Sequence, residues 1–221
     1  MENASIGPAA GHDQSVDVAD GNTDAVIRAI KSRKSVPPKH LKDPGPTEAE
    51  IHFMVKAALA APDHGNLRPW RAILIPQSRR AELAEIFRAA KLEIHPDASH
   101  DDLENAGAKA FNAPALLVIL FDPIRGHAKI TVEDQIIALG AALQNLILGA
   151  HSLGYGAMIT SGEKLRALAL QSSFTGSATE RAVAFVSIGT PVRKSVTRTS
   201  AEVAHHLSLW RSVAERGAAE E

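Results

Sequence analysis

Cysteine is absent from the 221 residues. Its absence excludes disulfides, thiolate metal sites and a cysteine nucleophile, and it is compatible with the cytosol. A dominant charge sign is missing too. The formal net charge is -1, so nothing points to a nucleic-acid or polyanion-binding surface. The longest apolar runs are far too short to span a bilayer, and the N-terminus lacks the basic-then-apolar layout of a signal peptide. The expected location is cytoplasmic. No GxSxG elbow or Ser-His-Asp arrangement occurs, no HxxxH or HExxH pattern surrounds His64, and the segment from Gly149 to Gly154 holds no GxGxxG fingerprint. What remains is ordinary for a soluble globular protein: 45% hydrophobic and 22% charged residues, enough chain to bury a real core.

Residues 1–22 are rich in Ala, Gly, Asp and Asn without periodicity and read as a disordered extension. A single domain is expected over 23–213, with a frayed tail over 214–221. Thr23 is placed to cap a helix that runs to Arg33 and stops at Ser35-Val36-Pro37-Pro38. Thr47 and Glu50 form a capping box for a helix carrying Ile51, Met54, Val55, Ala58 and Leu59 on one face. Trp70 to Ile75 reads as a buried strand, Ser78 to Ala90 as a helix, and the second half of His95 to Phe111 as helical. Ala115 to Phe121, ALLVILF, is the clearest central strand, apolar on both faces. Thr131 to Ser152 is the longest helix and so apolar that it belongs in a core or an interface. Gly154 caps it. Tyr155 to Thr160 and Ala182 to Ile188 are further strands, Lys164 to Leu170 a helix, and Glu202 to Arg211 a short late segment. Strands separated by long helices predict an α+β sandwich.

Chemistry concentrates in the stretch from Ala60 to Trp70. It packs two prolines, a glycine, the Asp63-His64 pair, Asn66, Arg68 and one of the two tryptophans between a helix and a strand. Such a stiff, polar loop either carries function or is a proline-punctuated turn whose Trp plugs the core. Arg33, Lys34 and Ser35 at a helix end suit a phosphate monoester through charge-assisted hydrogen bonds. They equally suit a solvated helix C-terminus, where the dipole favours cations. Lys194 is a second candidate phosphate ligand in a basic loop with Arg193. Asp13, Asp17, Asp101 and Asp102 read as solvated charge, and His205-His206 as surface.

Taken together, four motifs resemble the nitroreductase family, in its YdjA-like branch. Pro62-Asp63-His64 with Arg68-Pro69-Trp70 is similar to the family's PDH…QPW signature. Ser32-Arg33-Lys34-Ser35 is similar to its RRS phosphate motif. Gly154 to Gly162 is similar to its second flavin-contacting turn, and Gly189-Thr190-Pro191 with Lys194 to its late GTP…K motif. The resemblance implies a nitroreductase-like fold with a mostly antiparallel central sheet wrapped by helices. The long buried helix would lie at a dimer interface. It further implies a homodimer with FMN between subunits, NADH or NADPH as co-substrate, and a small-molecule acceptor such as a nitroaromatic or quinone. A flavin carrier or redox sensor with little turnover, and a reductase of one specific metabolite, are the alternatives. No nucleic acid, membrane or metal is expected.

By the same resemblance, Arg33, Lys34, Ser35 and Lys194 bind the FMN phosphate. Pro62, Asp63, His64 and Asn66 meet the flavin, as do Ile159, Thr160 and Ser161. No side chain acts as a nucleophile; the chemistry is on flavin N5. Departures are plain. Ala60 stands where the family has an arginine that touches FMN, Lys34 replaces an arginine, Arg68 replaces the glutamine of QPW, and Ile159-Thr160 replace Trp-Arg. An arginine at 68 either favours anionic reduced flavin or faces solvent.

Overall fold

The computed structural model describes residues 21–193 and 203–210. Lys194, Asp13, Asp17, residues 1–20 of the N-terminal extension and the tail over 214–221 lie outside the described residues, while Gly21 and Asn22 of that extension are helical. In chain order the elements are α1 (Gly21–Ser32), β1 (Leu41–Lys42), α2 (Glu48–Leu59), β2 (Trp70–Leu74), α3 (Arg80–Ile94) and α4 (His100–Ala108), followed by β3 (Ala115–Phe121), α5 (Val132–Ser152), β4 (Gly156–Thr160), α6 (Leu168–Phe174) and β5 (Arg181–Pro191). The fold class is α+β.

Five strands form one sheet ordered β1-β5-β3-β2, with β4 on the same edge of β5 as β1. Every ladder is antiparallel. β3 is fully buried because both its faces are covered. Leu117, Ile119 and Phe121 join α2 and α5 in one core, while Leu116, Val118 and Leu120 join α3 and α6 in the other. The period-two alternation of a strand sends one apolar run into two hydrophobic layers. Between Ala182 and Ala184 the β5 ladder slips past β3, leaving Val183 as the extra residue of a bulge.

Local signals place the helices. Thr47 and Glu50 make the reciprocal capping box of α2, and Thr131 with Asp134 does the same for α5. α5 ends in a Schellman turn: Gly154, at φ 85°, donates to His151 O, and Tyr155 N–H reaches back to Ala150 O at 3.0 Å. Tyr155 Oη then donates to Glu50 at 3.0 Å, tying β4's approach to the start of α2.

Two expectations change, and two features carried no sequence signal. α1 begins at Gly21, so Thr23 stands inside its first turn rather than at its cap. β2 is half-buried rather than buried; among the described residues it is an edge strand that pairs only with β3, and Leu74 is 41% exposed. Periodicity alone does not separate edge from centre. β1 is a strand that two residues could not announce; Leu41 is 1% exposed under β5. Arg80, polar by type, is fully buried at the start of α3. Its guanidinium donates to Ile75 O, Ala110 O and Pro114 O at 3.3, 2.8 and 3.3 Å, pinning α3 to the turn that enters β3. Desolvation holds its pKa below the usual arginine value.

Candidate functional site

The loop after α2 is built under backbone strain. Gly65, Asn66 and Arg68 all take left-handed φ, at 76°, 52° and 47°. Asn tolerates this region; for Arg it costs about 1 kcal/mol. Asp63 compensates, because its Oδ2 accepts the Arg68 N–H at 2.6 Å. Gly65 has a second reason to be glycine: a Cβ there would meet Ile130 Cδ1 at 2.6 Å. The result presents His64 and Asn66 on the surface, exposed, with Pro62 beside them and Ala60 at the C-cap of α2.

Arg33-Lys34-Ser35 leaves α1 and docks on β4. Ser35 makes a parallel bridge to Ala157, and Val36 N–H donates to Ala157 O at 3.1 Å. Gly156 permits this approach, since a Cβ would meet Leu41 Cδ2 at 2.8 Å and Val36 Cγ2 at 3.0 Å. The phosphate motif thus lies at the start of β4, and Thr160 and Ser161 at its end. Both of those residues line a cleft of about 520 Å³ between the sheet and α3–α4, together with Pro37, Pro38 and Lys39. Ile159 is different: its side chain packs into the core with α2 and α5.

Among the described residues, two buried side-chain atoms lack any hydrogen-bond partner within the protein: Arg33 Nε and Asp63 Oδ1. A buried polar atom left unpaired costs about 1–3 kcal/mol, so native proteins keep very few of them. Both fall in motifs singled out in the sequence.

One chain does not bring the two places together. Ser32 Oγ meets His151 Nε2 at 2.9 Å near the C-terminal end of α5, whereas Asp63 lies against Ala138 near its N-terminal end. Thirteen helical residues separate those contacts, about 20 Å. Across the sheet, β4 and β2 are three strand spacings apart, about 14 Å.

Several cleft residues carried no sequence signal. Lys164 Nζ lies 3.9 Å from the Phe87 ring centroid and 4.8 Å from that of Phe185. Burial, with Lys109 as a like charge, lowers its pKa to about 8. Asn105, Lys109 and Asn112 come from the polar stretch before β3. They are separated in sequence from Lys164 by two strands and α5, so no local pattern connects them. Asp102 also lines the cleft, but as the N3 member of the Ser99 capping box, which holds its carboxyl below the usual range. Arg193 is exposed. Among the described residues no cluster of His, Asp and Glu could hold a metal, and no helix is long and apolar enough to cross a membrane.

Comparison with known proteins gives one family from sequence, and solved structures share its fold. The model of the nitroreductase family matches residues 30–190. A Haemophilus influenzae protein named "Putative NAD(P)H nitroreductase" is 29% identical over 76% of this chain and 90% of its own. The crystal structure of a nitroreductase-like family protein from Bacillus cereus superposes with a TM-score of 0.72 at 18% identity, covering 85% of this chain and 96% of that one. A nitroreductase with bound FMN from Desulfitobacterium hafniense gives 0.59 at 18% identity, covering 84% and 97%.

Proposed function

The chain belongs to the nitroreductase family and is an oxidoreductase of it, and from that premise we propose an FMN-dependent enzyme that takes electrons from NADH or NADPH and passes them to a small acceptor such as a nitroaromatic or quinone. The observation that carries this reading is the pair of orphaned buried atoms, Arg33 Nε and Asp63 Oδ1, in the two motifs expected to hold a flavin nucleotide. A phosphate suits the first and a ring N–H donor the second. Printed names of relatives support the reductant, and the FMN-bound relative supports the cofactor.

FMN, when bound, supplies the hydride and electron transfer chemistry. The chain's own residues bind and orient. Arg33, Lys34 and Ser35 would hold the phosphate, joined by Lys194 from the late motif. Thr160 and Ser161 would border the ring from the end of β4. Pro62, Asp63, His64 and Asn66 would close over it from a second copy of the chain, because the same loop of the first copy stands about 20 Å off. Asp63 keeps that loop in its strained shape by holding Arg68 N–H. Neither a nucleophile nor a metal is required of the protein.

A homodimer follows from the same separation. α5 presents Ile137 at 71% and Ile136 at 47% exposure, and beside them Gly140, where an added Cβ would touch nothing. Two copies packed antiparallel on this face set the N-terminal end of one α5 beside the C-terminal end of the other. That brings the Asp63 loop of one copy toward the Arg33 motif of its mate, and it covers apolar surface a monomer would leave wet. Residues 23–213 form one domain in this reading, and the cytoplasm is its compartment.

The deciding experiment is purification followed by cofactor release. A yellow dimer that yields FMN supports the reading; a preparation that stays colourless in excess FMN ends it. Anaerobic mixing with NADPH then separates an enzyme, whose flavin bleaches fast, from a flavin carrier, whose flavin does not.

A further inference from the structure

Four lysines and two carboxylates line the 520 Å³ cleft. Its two carboxylates already have partners. Asp102 Oδ2 accepts from Ser99 N–H and Oγ–H at 3.1 and 2.7 Å. Glu163 Oε1 meets His95 Nε2 at 2.7 Å. The four cleft lysines, Lys39, Lys91, Lys109 and Lys164, make no ion pair within 4 Å among the described residues. Lys91 lends only long-range charge to the two acids.

Lys164 is the innermost of these cations. Its ammonium rests on the faces of Phe87 and Phe185, a cation–π seat that stabilises the charge without supplying a counter-ion. The wall around it is apolar: Ile94, Ala106 and Leu116. A cation in such a place, with Lys109 as a like-charged neighbour, loses hydration that nothing in the chain replaces with a negative charge. Its pKa of about 8 leaves it mostly protonated at neutral pH. The cleft thus joins apolar wall residues, a half-buried cation seated on two aromatic rings and a border at Thr160 and Ser161.

We propose that this cleft selects its acceptor by charge: it takes a planar aromatic acid, whose ring lies on the wall of Ile94, Ala106 and Leu116 and whose carboxylate pairs with Lys164. This rests on the function proposed above, since an acceptor must reach a flavin bordered by Thr160 and Ser161. The ion pair replaces lost water with a charge-assisted hydrogen bond in a partly dry site, where it is stronger than on a surface. A neutral ring of the same shape gains only the wall.

The test compares two isosteric probes, 4-nitrobenzoate and 4-nitrobenzamide, by calorimetric titration of the FMN-loaded protein in its oxidised form at pH 7. The carboxylate should bind about tenfold tighter or more. Lys164→Met should bring the two affinities together, and Lys164→Arg should keep them apart. A folding defect or a merely structural role for Lys164 would weaken both probes alike and leave their ratio unchanged. Equal affinities in the unaltered protein, or a preference that survives Lys164→Met, would overturn the proposal. Uptake of FMN is measured first. If none is taken up, the function reading fails on its own, and the same pair of titrations on the colourless protein still decides whether the cleft is an anion site.

Discussion

Arg33→Ala should move two quantities in opposite directions. In the protein alone, Nε is buried and unpaired, a state that costs about 1–3 kcal/mol. Removing the side chain relieves that cost and forfeits no hydrogen bond at that atom, so the thermal midpoint of the FMN-free protein should hold or rise. With FMN, the same truncation removes a charge-assisted contact to phosphate worth about 1.5–3 kcal/mol, a loss of roughly 10- to 150-fold in affinity. Riboflavin has no phosphate and should lose little. Two measurements suffice: a melt of the FMN-free protein, and titrations of FMN and riboflavin followed by flavin fluorescence. A fall in the FMN-free melting temperature, or equal losses for the two flavins, would remove Arg33 from the phosphate site. It would also show that its orphaned nitrogen is a structural defect rather than a prepared contact.

Arg80→Leu leaves Ala110 O without its buried donor, while Pro114 O keeps Gln77 Nε2, and should cost about 1–3 kcal/mol in urea unfolding; a change under about 0.5 kcal/mol would show that the clamp contributes nothing. Ile137→Asp puts a charge on the exposed apolar face of α5 and should yield a monomer by light scattering that loses FMN on dilution. A monomer that keeps its flavin would contradict a shared site. The depressed pKa of Lys164 predicts a pH effect with a definite sign. Between about 8 and the unfolded value of 10.5 the unfolded chain binds more protons, so stability rises with pH across that window, by at most ~3 kcal/mol. Lys164→Met should flatten that rise, and an unchanged slope would mean that Lys164 is solvated in the folded protein.

Much of the architecture was readable from local patterns, for reasons that individual residues make clear. β3 was legible because seven apolar residues in a row can only be a strand covered on both sides. α5 was legible because its apolar residues run from Thr131 to Ser152 and Gly154 closes it, while the Thr131–Asp134 capping box that opens it came from the structure. The motifs around Arg33, Asp63 and Thr160 could be picked out because each is a short run in a fixed order. Each of these signals is local, and a local signal survives in one dimension.

Tertiary structure decided the rest. β2 became an edge because, among the described residues, no other strand reaches its free side, a property of the sheet and not of Trp70 to Leu74. Arg80 became a core residue because two segments placed their carbonyls around it. Lys164 acquired its character from Phe87, Phe185 and Lys109, none of them near it in sequence. The distance along α5 that separates Asp63 from Arg33 could not be read from the motifs either, and the proposal of a second copy of the chain rests on it. The order of residues settled which chemistry the chain can hold; the packing settled where each half of it stands, because burial and charge depend on neighbours that the chain supplies only once it has folded.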